Sequence, residues 1–255
     1  MAKIRNFLLA VASVLLVVGF AHSADFELNN EYSERVSIKI NELFDKMLPM
    51  IRRIIQNESL DPLKMDDVSE KLNGPLVHNG VLNMTKGSLK GLGSITRVSD
   101  VILTYENKIL TLDMSLRLPT LNLNYDYFFK YGIVSRKGSF VGRFSNVDLR
   151  LVLGLDMVNH KLIFDSFKVI KIRNIDVELQ GHVFDKVLNS VIKALIPRFR
   201  KDVINAVELR GSATIRNFVA EINSKLPRPG GQRLLYRHDE QSLENIPTTF
   251  TFAYL

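Results

Sequence analysis

The sequence predicts an α+β fold in which long N- and C-terminal helices are wrapped by a strongly curved antiparallel sheet of long strands, an elongated super-roll. Apolar residues recur at helical spacing in residues 30–56 and 183–207, and between them, from about 76 to 180, they alternate with a period of two. Helical spacing is typical of a helix that buries one stripe, whereas a period of two is typical of a half-buried strand. The order of elements is therefore long helix, long strands, long helix.

The N-terminal helix is predicted over residues 30–56, because its apolar positions are separated by steps of three and four. Asn30 is a suitable N-cap residue, and Pro49 should bend the helix. The polar residues 57–75 predict a connector with at most one helical turn. The apolar stripe consists of Val36, Ile40, Leu43, Met47, Ile51 and Ile54.

Residues 109–127, ILTLDMSLRLPTLNLNYDY, predict a very long strand with one irregularity. Its apolar residues occupy even positions up to Leu118 and odd positions from Leu121 onward. Such a slip moves the apolar set to the other face of the sheet unless the backbone corrects it. Pro119 lacks an N–H group and suits an edge or a bulge, so we expect a bulge or strand break within two residues of it. A second slip at residues 145–146 predicts that a neighbouring strand bends as well.

The C-terminal helix is predicted over residues 183–207, with a bend at Pro197. After Gly211 the helical spacing resumes up to Leu226. The apolar stripe consists of Phe184, Leu188, Val191, Leu195, Phe199, Val203 and Ala206.

The chain divides into three segments. Residues 1–23 predict a secretory signal peptide, because Lys3 and Arg5 precede a short apolar run and small residues fit a cleavage site. A retained anchor is the alternative, although the run is shorter than the ~18–20 residues that span a bilayer. Residues 24–226 predict a single domain. Residues 227–255 form a basic C-terminal tail that either adds a terminal strand or stays disordered.

Composition limits the function. The chain contains no cysteine, which excludes thiol catalysis and cysteine-ligated metal sites. The formal net charge of +7 makes it mildly basic, and basic residues cluster at 198–201 and 228–237. A solvated face explains such clusters, and affinity for anionic lipid is the alternative. Nucleic-acid binding is not expected, because no recognised motif is present.

Catalytic and cofactor motifs are absent from the sequence. The histidines are not at metal-ligand spacing, and there is no Gly-x-Ser-x-Gly elbow. The glycines in KGSLKGLG do not follow the phosphate-loop order and are better explained by turns or bulges. The sequence therefore predicts a protein that is not an enzyme and that has no cofactor and no metal site.

Three short segments resemble the dust-mite group 7 allergens and their arthropod homologues: DPLKM at Asp61–Met65, GLGSITRVSD at Gly91–Asp100, and LNYDY at Leu123–Tyr127. The resemblance covers roughly residues 31–209. It implies the tubular lipid-binding fold, shared with the bactericidal/permeability-increasing protein and with takeout and juvenile-hormone-binding proteins. Takeout-type proteins usually carry a cysteine pair near the mature N-terminus, which this chain lacks.

The resemblance implies a secreted, extracellular binder or carrier of a lipid-like or other apolar small molecule, held in an apolar groove between helices and sheet. One alternative is an innate-immune protein that recognises bacterial lipid or anionic membrane through its basic surface, and another is a structural or protein-binding module with a filled core and an external apolar patch. The sequons at Asn57 and Asn83 predict a glycoprotein. The predicted ligand-binding residues lie on the facing apolar stripes: Leu43, Met47, Ile51, Leu116, Leu123, Tyr125, Leu188, Val191, Leu195 and Phe199.

Overall fold

The computed structural model describes residues 35–74, 77–180 and 186–226, with side chains described for 35–71, 80–180 and 191–226. In this part of the chain nine strands form one antiparallel, curled sheet, and two helices accompany it. The elements in chain order are β1 (Val36–Lys39), α1 (Asn41–Asn57), β2 (Leu63–Lys64), β3 (Val68–Gly74), β4 (Val77–Lys90), a 3-10 turn (Leu92–Ser94), β5 (Thr96–Arg97), β6 (Ile102–Glu106), β7 (Ile109–Tyr131), β8 (Val134–Asp156), β9 (Lys161–Gln180) and α2 (Lys186–Asn223). The predicted fold class is confirmed.

Strand β7 is the centre of the sheet. Along one edge it pairs with β8 over its whole length, and along the other it pairs in turn with β6, β5 and β4. Strand β9 pairs with β8, and the short strands β1, β2 and β3 pair with β6 or β4. Since a hairpin needs only a tight turn, consecutive long strands lie next to each other in the sheet.

Helix α1 begins later than the sequence predicted. Val36–Lys39 is a strand that pairs with β6, and the predicted cap Asn30 lies outside the described residues. Asn41 fixes the start of the helix, because its side chain accepts a hydrogen bond from the backbone N–H of Val101 and donates one to Asp100, both at 2.8 Å. The helical spacing before Asn41 therefore led to a wrong prediction, because that segment pairs with β6, a strand that is distant in sequence.

Two other predictions of secondary structure were wrong. The predicted connector at 57–75 contains β2 and β3, both of which pair with β4. Helix α2 continues through Gly211 instead of restarting after it. A Cβ at Gly211 would lie 2.4 Å from the ring of Phe167, so glycine serves the close approach of α2 to β9 and does not break the helix.

The slip in β7 is real, but the predicted bulge is wrong. Buried side chains occupy even positions up to Leu118 and odd positions from Leu121, yet β7 is uninterrupted and its register with β8 is the same on both sides of Pro119. The reason is that β8 slips at the opposite position. Asn146 faces Pro119 and takes a left-handed conformation with φ 53°. Because β7 and β8 each shift by one position at the same level of the sheet, their register is unchanged. Both strands therefore return their apolar residues to the same face.

The slip also crosses β9, where burial shifts from Ile172 to Ile175. We call the line formed by residues 119–120, 145–146 and 173–174 the crease. Beside it, Gly91 has φ 107° and lies so close to β7 that a Cβ would be 2.3 Å from the carbonyl oxygen of Thr120. The 3-10 turn that follows Gly91 lies between the β4 and β5 pairings of β7, where neither strand pairs with residues 118–121.

Candidate functional site

The inner face of the sheet is apolar along the length of β7. Alternate side chains of β7 are almost wholly buried, and the register places buried residues of β8 opposite them. None of the buried side chains in the described residues is charged. The buried residues of β7 are Leu110, Leu112, Met114, Leu116, Leu118, Leu121, Leu123, Tyr125, Tyr127 and Phe129. This face, together with α1 and α2, is the candidate site.

Helix α1 is held over the inner face by polar contacts along one flank. Arg97 makes two hydrogen bonds to the Asp45 carboxylate, at 2.9 and 2.7 Å. Arg52 donates to the carbonyl oxygen of Ile95 at 3.1 and 3.0 Å. With the Asn41 contacts, these bonds form a polar seam between α1 and residues 95–101.

The core-facing stripe of α1 agrees only in part with the predicted one, of which Ile51 packs against the core and Ile54 is buried. Phe44 and Leu48 are buried in the core, and Ile51 and Ile55 are half-buried against it. These positions follow steps of four, three and four, which is as regular as the predicted stripe. Because each residue turns a helix by about 100°, the stripe that begins at Leu43 lies about a quarter turn away.

That second stripe lies on the flank of α1 opposite the polar seam. Its residues Leu43, Met47 and Met50 are half-buried, and within the part of the chain that the structure describes they do not pack against the core. We call Leu43, Met47 and Met50 the flank stripe. Met50 was not predicted from the sequence, although it stands seven residues after Leu43, at helical spacing.

Helix α2 lies along β9. Val191 and Leu195 are half-buried against the core, and Phe199 is fully buried, while the side chain of the predicted residue Leu188 lies outside the described part. Ile192, which widens the predicted apolar stripe, is buried one position after Val191. The predicted stripe is therefore correct in position, and its members Phe199 and Val203 are the most buried described side chains of α2.

Side chains of α2 also complete the free edge of β9. The Asn223 side chain accepts a hydrogen bond from the N–H of Leu162 at 2.7 Å and donates to its carbonyl oxygen at 2.9 Å. Glu208 accepts a bond from the N–H of Val169 at 2.8 Å. An amide that both donates and accepts imitates a strand partner, so the helix protects an edge that would otherwise invite another strand.

An aromatic cluster joins α2 to the sheet. The ring of Phe140 lies 4.7 Å from that of Phe199 and 6.3 Å from that of Tyr125. The Tyr125 hydroxyl donates to the backbone oxygen of Asp66 at 2.8 Å. Burial, reinforced by nearby carboxylates of which Asp202 contributes most, raises the pKa of Tyr125 to about 12. The Tyr125 hydroxyl therefore donates its proton to a hydrogen bond within the protein, and the side chain stays neutral at ordinary pH.

The predicted ligand-binding residues thus fall into three groups. Leu116, Leu123, Tyr125 and Phe199 belong to the packed core. Ile51, Val191 and Leu195 border that core, and Leu43 and Met47 stand in the flank stripe. The structure brings all of these except Leu188 to the inner face of the sheet or to the helices that cover it.

The predicted glycosylation sites differ in exposure. Asn57 is exposed at the end of α1. Asn83 is half-buried on the outer face of β4, where its side-chain oxygen accepts a bond from the hydroxyl of Ser69 at 2.7 Å.

In the first predicted basic cluster, residues 198–201, part of the positive charge is paired with carboxylates. Arg198 pairs with Glu70 and Asp202, whereas Arg200 and Lys201 are exposed. The cluster at 228–237 lies outside the described residues. Within the described ranges, no group of three or more histidine, aspartate or glutamate residues could hold a metal ion. No helix in those ranges is long and apolar enough to cross a membrane.

The three sequence motifs meet in the structure. The Asp61 carboxylate accepts hydrogen bonds from the N–H groups of Gly91 and Gly93, at 3.0 and 2.7 Å. Tyr125 of the third motif reaches the backbone of Asp66, directly after the first. These motifs therefore hold β2, the 3-10 turn and β7 together, and their role is to build the fold rather than to perform chemistry.

Comparison with known proteins gives one family match and two similar solved structures. The family model for the group 7 allergens matches residues 39–222. Lipopolysaccharide binding protein is 16% identical with a TM-score of 0.52, and the match covers 74% of this chain but 41% of that protein. Takeout 1 of Epiphyas postvittana is 18% identical with a TM-score of 0.43, over 71% of this chain and 91% of that one.

No curated protein sequence matches the chain significantly. The resemblance to the group 7 allergens found from the three motifs is nevertheless confirmed, because the family model spans well over half of the chain, and the fold resembles that of lipopolysaccharide binding protein. The chain therefore belongs to the group 7 allergen family.

Proposed function

We propose that this protein is a secreted, non-enzymatic binder of a lipid-like ligand, held in an apolar groove between α1, α2 and the inner face of the sheet. The observation that carries the proposal is the flank stripe. Half-buried Leu and Met side chains border a core that is already packed, so they offer apolar surface that another molecule can cover. Met adapts its shape to irregular partners, which suits a flexible acyl chain.

The position of the flank stripe supports a groove between the helices. The polar seam holds α1 to residues 95–101, which lie on the β5–β6 side of β7. Helix α2 lies on the other side, along β9. The stripe is on the flank of α1 opposite the seam, and it therefore faces the space between α1 and α2.

Two further points agree with binding rather than catalysis. The buried part of the described structure has no charged side chain, so its inner face offers apolar contact and few groups that could act on a substrate. A protein of the same fold, lipopolysaccharide binding protein, is named for a lipid ligand. Secretion and an extracellular location remain part of the proposal, on the basis of the predicted signal peptide.

The test is to express the full chain in a eukaryotic secretory host, extract the secreted protein for lipid mass spectrometry, and titrate it with a fluorescent fatty acid. The variant Leu43→Ser with Met47→Ser should weaken fatty-acid binding by about tenfold or more, because it removes apolar contact. Leu209→Ser is the matched control, since Leu209 is 70% exposed on α2. The proposal fails if no apolar molecule co-purifies and no fatty acid binds, or if the control weakens binding equally.

The alternative function, recognition of bacterial lipid or anionic membrane, receives less support from the basic cluster on α2. Arg198 in that cluster already has two carboxylate partners. A different part of the molecule combines exposed apolar and basic residues, and it suggests where a lipid surface would be met.

A further inference from the structure

The hairpin between β7 and β8 ends in an unusual turn. Tyr131 and Val134 form its last pair, and the two residues between them are Gly132, with φ 54°, and Ile133. Glycine at the first central position is typical of a tight hairpin turn. Turns mostly carry polar residues, yet Ile133 is fully exposed. The most protruding side chain of this hairpin is therefore a large apolar one.

Within the described residues, the end of the hairpin extends beyond β9 on one side. Strand β9 ends at Gln180, opposite Ser139, so within the described residues β8 has no partner on that edge from 134 to 138. Five residues of strand correspond to roughly 16 Å. We call residues 128–138 the hairpin tip.

Basic side chains surround Ile133. The hairpin tip contains Lys130, Arg136 and Lys137 and no aspartate or glutamate. Lys71 joins them, because β3, β4 and β7 align it with Val81 and Lys130 on the outer face. On the outer face of the tip, the described charged side chains Lys71, Lys130 and Lys137 are therefore all positive.

The aromatic and acidic neighbours of the hairpin tip strengthen this picture. Lys137 lies over the ring of Phe128, 5.6 Å from its centroid, so an aromatic surface accompanies the basic one. The carboxylate that precedes the tip, Asp126, pairs with Lys86 at 2.9 Å and does not offset the positive charge of the tip.

At the opposite end of the same strands the basic residues are mixed with an acidic one, because Lys108 and Lys161 stand beside Asp156. The turn between β8 and β9 also exposes an apolar residue, Val158, which is 52% exposed. Its neighbour Asp156 accepts hydrogen bonds from the N–H groups of Val158 and Asn159, both at 2.9 Å. An exposed valine beside a carboxylate is poorly suited to an anionic surface, so this turn provides a control within the same molecule.

We propose that the hairpin tip docks on an anionic lipid bilayer, with Ile133 inserted at the boundary between headgroups and acyl chains and with Lys130 and Lys137 at the lipid phosphates. An apolar anchor and a basic cluster are the two signals that together give stable association with a membrane surface. The basic residues supply attraction to anionic lipid, and the isoleucine supplies burial of apolar area. This docking does not depend on a carried ligand.

The first test uses the absence of tryptophan from the chain. In Ile133→Trp the single tryptophan should shift its fluorescence to the blue when vesicles of equal parts phosphatidylcholine and phosphatidylglycerol are added, and much less with phosphatidylcholine alone. In Val158→Trp, the control at the opposite end, it should not shift. Equal shifts at both positions, or none at 133, would overturn the proposal.

The second test measures sedimentation of the unmodified chain with the same vesicles. Ile133→Ser should reduce binding several-fold, and Lys130→Gln with Lys137→Gln should reduce it by about fivefold per lysine and flatten the salt dependence. Lys108→Gln with Lys161→Gln, at the opposite end, is the matched control and should bind normally. Normal vesicle binding by Ile133→Ser, or an equal loss of vesicle binding in the two double-lysine variants, would contradict docking through the tip.

Two outcomes separate this proposal from others. If Ile133→Ser changes the oligomeric state but not vesicle binding, the tip contacts a protein and the lipid proposal is wrong. If vesicle binding fails while the fluorescent fatty acid still binds, docking is wrong and the carrier function stands. If fatty-acid binding is lost while vesicle binding persists, the carrier function is wrong and docking through the tip stands.

Discussion

The carbonyl oxygen of Thr120 lies 2.3 Å from the point where a Cβ on Gly91 would be. Real Cβ atoms do not approach a backbone oxygen so closely, and Gly91 also has φ 107°. The residue that starts the 3-10 turn must therefore be glycine for two independent reasons. The contact lies at the crease, where the buried positions of β7 change from even to odd residue numbers.

Gly91→Ala should destabilise the protein by about 3 kcal/mol or more, because the substitution forces backbone against backbone at a left-handed residue. Gly132→Ala separates the two causes. Gly132 also has positive φ, but nothing lies within 4 Å of its Cβ position, so its cost should be only about 1–2 kcal/mol. Urea unfolding of both variants measures the difference. Equal costs would show that the Thr120 contact relaxes freely.

Asn223→Ala should cost about 1–3 kcal/mol, because it leaves both backbone groups of Leu162 without their partner at the edge of β9. Asn205→Ala, at an exposed position of the same helix, should have little effect. Thermal unfolding gives the stability change, and amide hydrogen exchange at Leu162 reports the edge directly. Unchanged exchange at Leu162 would contradict the edge-completing role of α2.

Tyr125 should make the protein sensitive to alkaline pH. Its pKa is raised from the ordinary value of 10.0 to about 12, so the folded state retains a proton that the unfolded state loses. The resulting stability is complete below pH 10 and disappears as the pH rises toward 12. Tyr125→Phe should lower stability at neutral pH by removing the bond to Asp66, and should flatten the alkaline decline. Unfolding followed between pH 8 and pH 12 in both proteins tests this, and an unchanged slope would be contrary to it.

Secretion through a eukaryotic pathway should attach a glycan at Asn57, since that side chain is exposed at the end of α1. Asn83 faces outward from β4 and should also accept one. Asn57→Gln and Asn83→Gln should each remove one glycan, measured by mass spectrometry before and after enzymatic deglycosylation. A secreted chain whose mass does not change on deglycosylation would show both predictions to be wrong.

Some features could be predicted from the sequence because they depend on local periodicity. The alternation of residues 109–127 correctly identified the buried side of β7 and the position of its slip. The spacing around Leu195 and Phe199 correctly placed a helix with one face on the core. Such patterns extend over only a few residues or helical turns, so they can be recognised without knowing which distant residues the segment contacts.

Other features depend on distant contacts and could not be read locally. Val36 fits a helical stripe, but pairing with Tyr105 places it in a strand. Leu43 and Phe44 begin two equally regular stripes, and only the polar seam, made by residues some fifty positions away, decides which one faces the core. The predicted bulge failed for the same reason, because the correction of the slip at Pro119 lies in the partner strand at Asn146.

The crease also constrains how this hairpin can change in length. A single residue inserted into β7 alone would invert every side chain beyond it, since the partner strand would no longer compensate. A residue gained or lost at Pro119 can be tolerated only with a matching change near Asn146, and again near Arg173 in β9. Among relatives, insertions and deletions at this level should therefore occur together in all three strands or not at all.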